Sequence, residues 1–384
     1  MLLTRRTFLR VGSGLAVAAA GCSRKLDPKI EHSATWEESI ANLERHIAES
    51  MRENRVPGAS IAIIRDAKIA WAKGFGVRDQ TTGAPVGEDT VFSAQSMSKP
   101  VFAYRVMKLH EQGVLDLDAP LTRYTPDLFV EHDPRLQEIT ARRVLSHTSG
   151  LPNWRSPEDP LKVAFQPGTK WQYSGEGYHY LQSVVTRLTG HTDATRCGRF
   201  ELGLRVCATD FGEYMEANVL RPFGMSSSGY VWRPAIVDQV ARRHDKDGKP
   251  MEQRPSTAVD VARYGSAGSL MTTATDYAKF LIEVMRPKPP DEYRLGEPTL
   301  RQMLTPQIEF PAPVKAEWAL GWQIWHLEQG DLVLHGGDDE GWHSESAFSP
   351  ERKTGFVILT NGDNGYRMIF DDLLKPLVGE LVFA

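Results

Sequence analysis

The chain has 384 residues, of which 41% are hydrophobic and 24% are charged, a composition typical of a globular enzyme. Its formal net charge is -4, and its 45 basic side chains are scattered, so no basic patch marks a nucleic-acid site. The sequence has three cysteines and no Cys/His cluster with zinc spacing. We therefore expect no metal, no organic cofactor and no nucleic-acid partner.

The N-terminus has the pattern of an export signal. Arg5 and Arg6 precede a mildly apolar stretch that is too short for a membrane-spanning helix. This order predicts a twin-arginine signal over 1–21, followed by a linker over 22–34. Small residues before Cys22 are similar to a bacterial lipobox, which predicts lipidation of Cys22; plain cleavage and release is the alternative. We expect an exported protein of the periplasm or cell envelope, attached to the membrane through this lipid.

A helix and a hairpin are predicted next. Thr35 and Glu38 form a capping box that opens an amphipathic helix. Its apolar residues recur at helical spacing: Ile40, Leu43, Ile47 and Met51. Two β-rich runs, 59–64 and 69–77, flank the polar residues 65–68 and predict a β-hairpin.

The middle of the chain, from Pro100 to Met303, has mainly helical patterns with long connections. Strand patterns return over 319–327, 332–334, 344–348 and 356–360, and a last helix is predicted over 368–378. Sheet-forming segments at both ends predict an α/β lobe from 35–95 and 315–384, with a helical lobe from 96–314 between its halves.

Cys197 and Cys207 lie in a polar stretch between two helical patterns. Export to an oxidising compartment would permit these two thiols to pair. We predict a disulfide that closes a short loop; two unrelated thiols are the alternative.

Ser96 and Lys99 open a helical run. Residues three apart share a helix face, so the Lys99 amine can reach the Ser96 hydroxyl and, when neutral, accept its proton. An exposed pair at a helix start is the alternative for this motif taken alone.

Two further segments carry candidate site residues. Tyr173 lies in a Gly-flanked aromatic turn over 171–178 that can aim a phenol into a cleft. His335, Gly336 and Gly337 follow a strand pattern, where glycines let a substrate lie against a strand edge.

Together these motifs resemble, in order and separation, those of the penicillin-recognising serine hydrolases. Within that superfamily the chain is similar to class C β-lactamases, DD-peptidases and family VIII carboxylesterases. Further segments resemble recurrent stretches of the superfamily: 143–152, 222–225, 268–276 and 350–361. The resemblance covers about residues 35–380. It implies the α/β (α+β) serine β-lactamase/DD-peptidase-like fold, an antiparallel sheet flanked by helices with an inserted all-helical lobe, as one catalytic domain over 35–384.

The resemblance also implies roles for the site residues. Ser96 would be the acylated nucleophile, and Lys99 would be its proton acceptor or an electrostatic partner. Tyr173 would shuttle the proton to the leaving group, as a base whose pKa Lys99 lowers. The backbone N–H groups of Ser96 and Asp338 would form the oxyanion hole. His335 replaces a lysine of the β-lactamases and would hold the tyrosine oxygen or a substrate carboxylate.

One site position departs from the superfamily pattern. Gly175, which with Gly336 and Gly337 we expect in the substrate-binding cleft, stands where β-lactamases and DD-peptidases have an Asn that binds the substrate's amide and contacts the lysine. Glu176 or Asn153 could substitute, and the sequence leaves this open. The loss of the Asn favours an esterase or peptidase over an efficient β-lactamase.

Several other residues are assigned by their place in the sequence. The segment 353–355 (Lys-Thr-Gly) matches the lysine-containing form that β-lactamases have in place of residues 335–337, but its place before a strand predicts a hairpin turn. His147 is predicted to fix a loop by hydrogen bonds. Trp318 is expected in the core, whereas Trp154 and Trp342 are expected to line the cleft.

The motifs together predict an exported serine hydrolase that works through a Ser96 acyl-enzyme. Its small-molecule or peptide substrate would be an ester, a D-amino-acid peptide or a β-lactam-like compound. No GxSxG elbow occurs, which excludes the α/β-hydrolase mechanism. The alternative is a non-catalytic envelope protein that binds peptidoglycan peptides or a protein partner. The sequence does not specify the oligomeric state.

Overall fold

The computed structural model describes residues 35–125, 133–155, 161–190, 198–199, 205–206, 208–232, 234–253, 255 and 258–383. The export signal over 1–21, the linker over 22–34, the lipidation of Cys22 and the Cys197–Cys207 disulfide all fall outside these residues. These four features therefore stay predictions.

Helices and strands fill most of the described chain. The helices are α1 (Trp36–Asn54), α2 (Ser98–Glu111), α3 (Ala141–Leu145), α4 (Gly175–Leu188), α5 (Ala208–Met215), α6 (Pro234–Val237), α7 (Ala258–Gly268), α8 (Ala274–Met285), α9 (Glu297–Met303), α10 (Gly365–Arg367) and α11 (Leu374–Pro376). The strands are β1 (Gly58–Arg65), β2 (Lys68–Asp79), β3 (Ala84–Pro85), β4 (Phe92–Ser93), β5 (Gly198–Arg199), β6 (Arg205–Val206), β7 (Met271–Thr272), β8 (Ile308–Glu309), β9 (Ala316–Trp318), β10 (Gln323–Leu327), β11 (Gly330–Asp339), β12 (Trp342–Ser349) and β13 (Thr354–Thr360). None of the helices in the described ranges is long and apolar enough to cross a membrane.

The main sheet is antiparallel and has the strand order β3-β2-β1-β13-β12-β11-β10-β9-β8. Its centre joins the two ends of the chain, because β1 pairs with β13 in the register Ala62↔Val357. The sheet thus combines strands from the N-terminal and the C-terminal parts of the chain.

The N-terminal elements form for the local reasons that the sequence gives. The Thr35 hydroxyl accepts a bond from the Glu38 N–H at 3.2 Å, and the Glu38 carboxylate accepts one from the Thr35 N–H at 2.7 Å, so the capping box is confirmed. The hairpin is confirmed as well. Asp66 and Ala67 have φ values of 50° and 51°, as a tight two-residue turn between twisted strands requires.

Two details of the architecture differ from expectation. The strand predicted over 319–327 is confirmed only over 323–327, because 319–322 form the turn between β9 and β10, which pair with each other. In that turn the Ala319 N–H donates to the Trp322 carbonyl at 2.8 Å, and Gly321 has φ +89°, a backbone conformation that favours glycine. The helical lobe is not all helical, because β7 lies within it and pairs with β4.

Alternation along the central strands fills two cores, one on each face of the sheet. Val333 and Val357 pack toward the helical lobe, whereas Leu334 and Ile358 pack toward α1 and the C-terminal helices. Because successive side chains of a strand point to opposite faces, His335 faces the helical lobe. The sheet register therefore places this histidine in the space between the two lobes.

From His335 onward, one edge of β11 has no pairing with β10. Strand β10 pairs with β11 only as far as Gln323↔Leu334, while β12 pairs along β11 from Val333 to Asp339. In the described ranges, the stretch from His335 to Asp339 thus has a strand neighbour on one side only. Its other edge is available for a ligand.

Candidate active site

Ser96 lies in the 3-10 turn Gln95–Met97, which leads into α2. Gln95 has φ +47°, an uncommon conformation for a non-glycine residue that costs about 1–3 kcal/mol and persists only where its surroundings hold it. Here the Ser98 hydroxyl donates to the Gln95 carbonyl at 2.6 Å. The turn keeps Ser96 partly exposed at a helix N-terminus, where the helix dipole stabilises developing negative charge.

The amine of Lys99 is buried directly beneath Ser96. Its Nζ donates to the Ser96 Oγ at 3.2 Å and to the Ala267 carbonyl at 2.7 Å, and the side chain is 1% exposed. The rings of Tyr173 and Tyr178 lie 4.7 and 5.5 Å from the Nζ. Burial lowers the pKa of Lys99 to about 7, so a large fraction of the amine is neutral near pH 7 and can accept a proton.

Tyr173 contacts Ser96 and Lys99, but its charge state differs from expectation. Burial raises the pKa of the Tyr173 phenol and the Asp338 carboxylate adds to this, while the hydrogen bond to Ser96 opposes them. The expectation that Lys99 lowers this pKa is wrong, because the amine lies over the ring face and burial disfavours the phenolate. Tyr173 is therefore a protonated hydrogen-bond donor at neutral pH.

His335 is also neutral. The ring is 2% exposed, and its Nδ1 lies 2.7 Å from the Gly336 carbonyl, which assigns the proton to Nδ1 and leaves Nε2 as the acceptor. Burial and the nearby Lys99 lower the pKa of His335 to about 3. Two roles were expected for His335. In this tautomer Nε2 has no proton to donate to a substrate carboxylate, but it can accept one from the phenol of Tyr173, whose ring centroid is 6.4 Å away.

His147 packs against Tyr173 from the opposite side. The two ring centroids are 4.2 Å apart, and the His147 Nδ1 accepts the Ser174 N–H at 3.0 Å. Burial, Lys99 and His335 hold the pKa of His147 well below its usual value, so this ring is neutral too. The loop-fixing prediction for His147 is confirmed, and buried Trp318, 4.7 Å away, completes the packing.

The two glycines after His335 permit close approach on both faces of β11. A Cβ atom on Gly337 would lie 2.2 Å from the Ala94 carbonyl oxygen, just before the turn that carries Ser96. One on Gly336 would lie 2.8 Å from the Glu345 carboxylate on the other face. Glycine 337 therefore lets the open edge of β11 press against the nucleophile turn.

This contact brings together the two segments that carry the expected oxyanion-hole donors. The backbone N–H of Ser96 belongs to the turn, and that of Asp338 belongs to the open stretch of β11. Each such donor, if aimed at a reacting carbonyl oxygen, typically contributes about 3–4 kcal/mol to transition-state stabilisation. No side chain is needed for either donor.

The indole of Trp154 fills the space next to Gly175, so this space is not open to a substrate. A Cβ atom at this position would lie 2.3 Å from Cζ2 of Trp154, so an asparagine does not fit while the indole is in place. Glu176 is fully buried and accepts a bond from Arg263 at 2.8 Å, which excludes it as a substitute. Asn153 is partly exposed, and its side-chain oxygen accepts the Gly175 N–H at 3.1 Å.

The positions of Lys353 and Trp342 test two further predictions. Lys353 has φ +57° and lies in the turn that joins β12 to β13, so the hairpin-turn prediction is confirmed. Trp342 is 7% exposed and packs edge-on against Phe92, with ring centroids 6.1 Å apart. The expectation that Trp342 lines the cleft is wrong because the sheet buries it.

The site also contains a partner that sequence reasoning missed. The Ala267 carbonyl, near the C-terminal end of α7, accepts the shorter of the two hydrogen bonds from Lys99. A backbone acceptor leaves no side-chain signal, so only the packing of α7 against α2 could reveal it. Within the described ranges, no group of three or more His, Cys, Asp or Glu side chains is arranged to hold a metal ion.

The fold and this Ser–Lys–Tyr arrangement define a serine hydrolase scaffold, and the comparisons with known proteins agree. The family model described as beta-lactamase matches residues 43–375, so the chain belongs to the β-lactamase family. It is 28% identical to esterase EstB of Burkholderia gladioli over 301 residues, 65% of this chain and 70% of the esterase. The expected membership of the penicillin-recognising serine hydrolases is confirmed.

Solved structures show the same fold. An octameric penicillin-binding protein homologue from Pyrococcus abyssi is 26% identical, with a TM-score of 0.71 over 89% of this chain and 79% of that one. The D-alanine carboxypeptidase AmpC from Burkholderia cenocepacia is 21% identical, with a TM-score of 0.72 over 89% of this chain and 99% of that one. The expected serine β-lactamase/DD-peptidase-like fold is confirmed.

Replacement of Gly337 by alanine should separate β11 from the nucleophile turn. The added Cβ would meet backbone that cannot rotate away, so we expect a loss of about 1–3 kcal/mol in the free energy of unfolding, measured with urea. The control is Gly212→Ala in α5, where the nearest atom would be 3.5 Å from the new Cβ and a small gain in stability is expected. Equal stability of the two variants would contradict the close approach.

Proposed function

We propose that the protein hydrolyses esters or D-amino-acid peptides through an acyl-enzyme on Ser96. The observation that carries this proposal is the 3.2 Å contact between the Ser96 hydroxyl and a buried amine whose pKa is about 7. A buried lysine of this kind is costly for a protein that only binds a ligand, because burial of an amine opposes folding. It is useful to an enzyme that must activate a hydroxyl at neutral pH.

In the proposed acylation step, the Ser96 Oγ attacks the substrate carbonyl carbon while neutral Lys99 accepts the hydroxyl proton. The tetrahedral intermediate places its negative oxygen against the N–H groups of Ser96 and Asp338. Tyr173 then donates its proton to the leaving group as the bond to that group breaks, and it regains a proton from the Lys99 ammonium. Water attacks the acyl-enzyme in the second step, with the same groups moving the proton in reverse.

The side chains around Gly175 favour an ester or a peptide over a β-lactam as the substrate. Trp154 blocks an asparagine at position 175, and Glu176 is bound to Arg263, so the amide of the superfamily pattern is missing at both positions. Asn153, whose side-chain oxygen accepts the Gly175 N–H, is the neighbouring side chain that still carries an amide. The similarity to an esterase supports an ester as the substrate.

Ser96→Ala should abolish hydrolysis, because no other group in the site can form the acyl bond. We expect kcat on p-nitrophenyl esters to fall by at least about 1,000-fold while the fold is retained. A fluorophosphonate probe should label the wild type at Ser96, as located by peptide mass spectrometry, and should not label the variant. The control, Ser39→Ala on α1, should behave as the wild type. Undiminished ester hydrolysis by Ser96→Ala would refute the acyl-enzyme.

The pH profile of kcat/KM should rise through pH about 7 and then level off. Lys99 must be neutral to accept the proton, and its pKa in the free enzyme is lowered to about 7 by burial. The test includes Glu345→Gln, since burial raises the pKa of Glu345 to about 8. Glu345 lies behind β11, opposite Gly336, and its removal should leave the rise unchanged. Loss of the rise in Glu345→Gln would show that Lys99 is not the titrating group.

We also propose that this hydrolase acts in the cell envelope, on the basis of the twin-arginine pattern over 1–21. Arg5→Lys together with Arg6→Lys should retain an unprocessed precursor in the cytoplasm, as judged by fractionation and immunoblotting. Arg10→Lys serves as the control and should be exported. Metabolic labelling with an acyl-chain probe should mark the wild type and not Cys22→Ser; absence of label from both would indicate plain cleavage. Normal export of the double-lysine variant would contradict the signal assignment.

A further inference from the structure

A partly exposed aromatic cluster lies beside the candidate active site. Trp154 is 37% exposed, and its indole covers the first residue of α4. A Cβ atom on Gly175 would lie 2.3, 2.4 and 2.6 Å from three atoms of that indole. Only glycine allows the ring to sit this close, two residues beyond Tyr173.

Tyr264 forms the second part of the cluster. Its ring meets that of Trp154 edge to face, with centroids 5.0 Å apart and an interplanar angle of 82°. Tyr264 lies on α7 three residues before Ala267, whose carbonyl holds the Lys99 amine. Tyr264 therefore lies within one helical turn of the residue that holds the Lys99 amine.

The positively charged side chain next to the two rings is Arg263, and it is paired with Glu176. The guanidinium of Arg263 lies 5.8 Å from the centroid of each ring. The same guanidinium donates to Glu176 at 2.8 Å, and Glu176 is fully buried. Arg263 thus packs against both rings while its charge is paired with Glu176.

We propose that Trp154 and Tyr264 bind a flat aromatic group of the substrate next to the bond that Ser96 attacks. This inference rests on the proposed ester hydrolysis and names its substrate class: esters with an aromatic ring on the acyl or the alcohol side. Packing of a ring against such an edge-to-face pair gives a preference of about tenfold over an aliphatic group of similar size.

Two matched ester series test the proposal. The acyl series compares p-nitrophenyl phenylacetate with p-nitrophenyl cyclohexylacetate, and the alcohol series compares benzyl butyrate with cyclohexylmethyl butyrate. In the wild type, kcat/KM should favour the aromatic member of one series by about tenfold. Trp154→Ala should remove that preference, and Trp154→Phe should keep part of it. The series that responds identifies the side of the ester that is bound.

The control variant is Trp36→Ala on α1. The Trp36 indole lies 4.6 Å from the Arg65 guanidinium, so it matches Trp154 in ring and in cationic neighbour, and it packs in the core on the opposite face of the sheet. The ratio of aromatic to aliphatic kcat/KM should not change in this variant.

Gly175→Ala gives an independent check of the geometry. The added methyl group must displace the indole, so Gly175→Ala alone should reduce the aromatic preference. In the Trp154→Ala background the same substitution should have no further effect on that preference, because no ring remains to be displaced. Additive losses would overturn the proposed contact.

The outcomes separate this inference from the function on which it rests. If esters are hydrolysed and Ser96 is labelled, but the ratio in both series is unchanged in Trp154→Ala, the aromatic-binding proposal is wrong and the hydrolase remains. If the wild type hydrolyses no ester and the fluorophosphonate leaves Ser96 unlabelled, the proposed function fails and the substrate class fails with it.

Discussion

The burial of one amine organises the site. Lys99 is 1% exposed, and a charged ammonium in such a place would cost several kcal/mol, so the lysine shifts toward its neutral form. What positive charge remains also disfavours protonation of His335 and His147. Burial and this charge keep both histidines neutral near pH 7, while Lys99 is divided between its two forms. The phenol of Tyr173 stays protonated, which suits the proton transfers of the proposed mechanism.

This arrangement needs segments that are distant in the chain. The amine is held by the carbonyl of Ala267 on α7 and contacts Ser96 on the turn before α2. The strand that carries His335 comes from the C-terminal part and pairs indirectly with the N-terminal hairpin through β12 and β13. Glycine at 337 is the residue that lets this strand approach the nucleophile turn. The site is thus assembled at the junction of the two lobes, and neither lobe contains all of it.

The surroundings of Gly175 differ from the superfamily pattern, although the fold is shared. The motif residues that perform chemistry keep the pattern of the superfamily, while the residue expected to bind an amide is missing. An indole now fills that space, and the neighbouring carboxylate is held by an arginine. An aromatic side chain thus stands where the superfamily pattern has a polar one, and this difference underlies the proposed preference for flat apolar groups.

The sequence by itself determined the capping box, the N-terminal hairpin and the i,i+3 placement of Ser96 and Lys99, because these depend on a few neighbouring residues. The fold class and the candidate roles of Ser96, Lys99 and Tyr173 came from the resemblance of the motifs to the superfamily. The tertiary structure decided the protonation states, the role of Ala267 and the separation of β9 from β10. Burial, backbone acceptors and the approach of Trp154 to Gly175 depend on elements far apart in the chain, and no local pattern records which of them will meet.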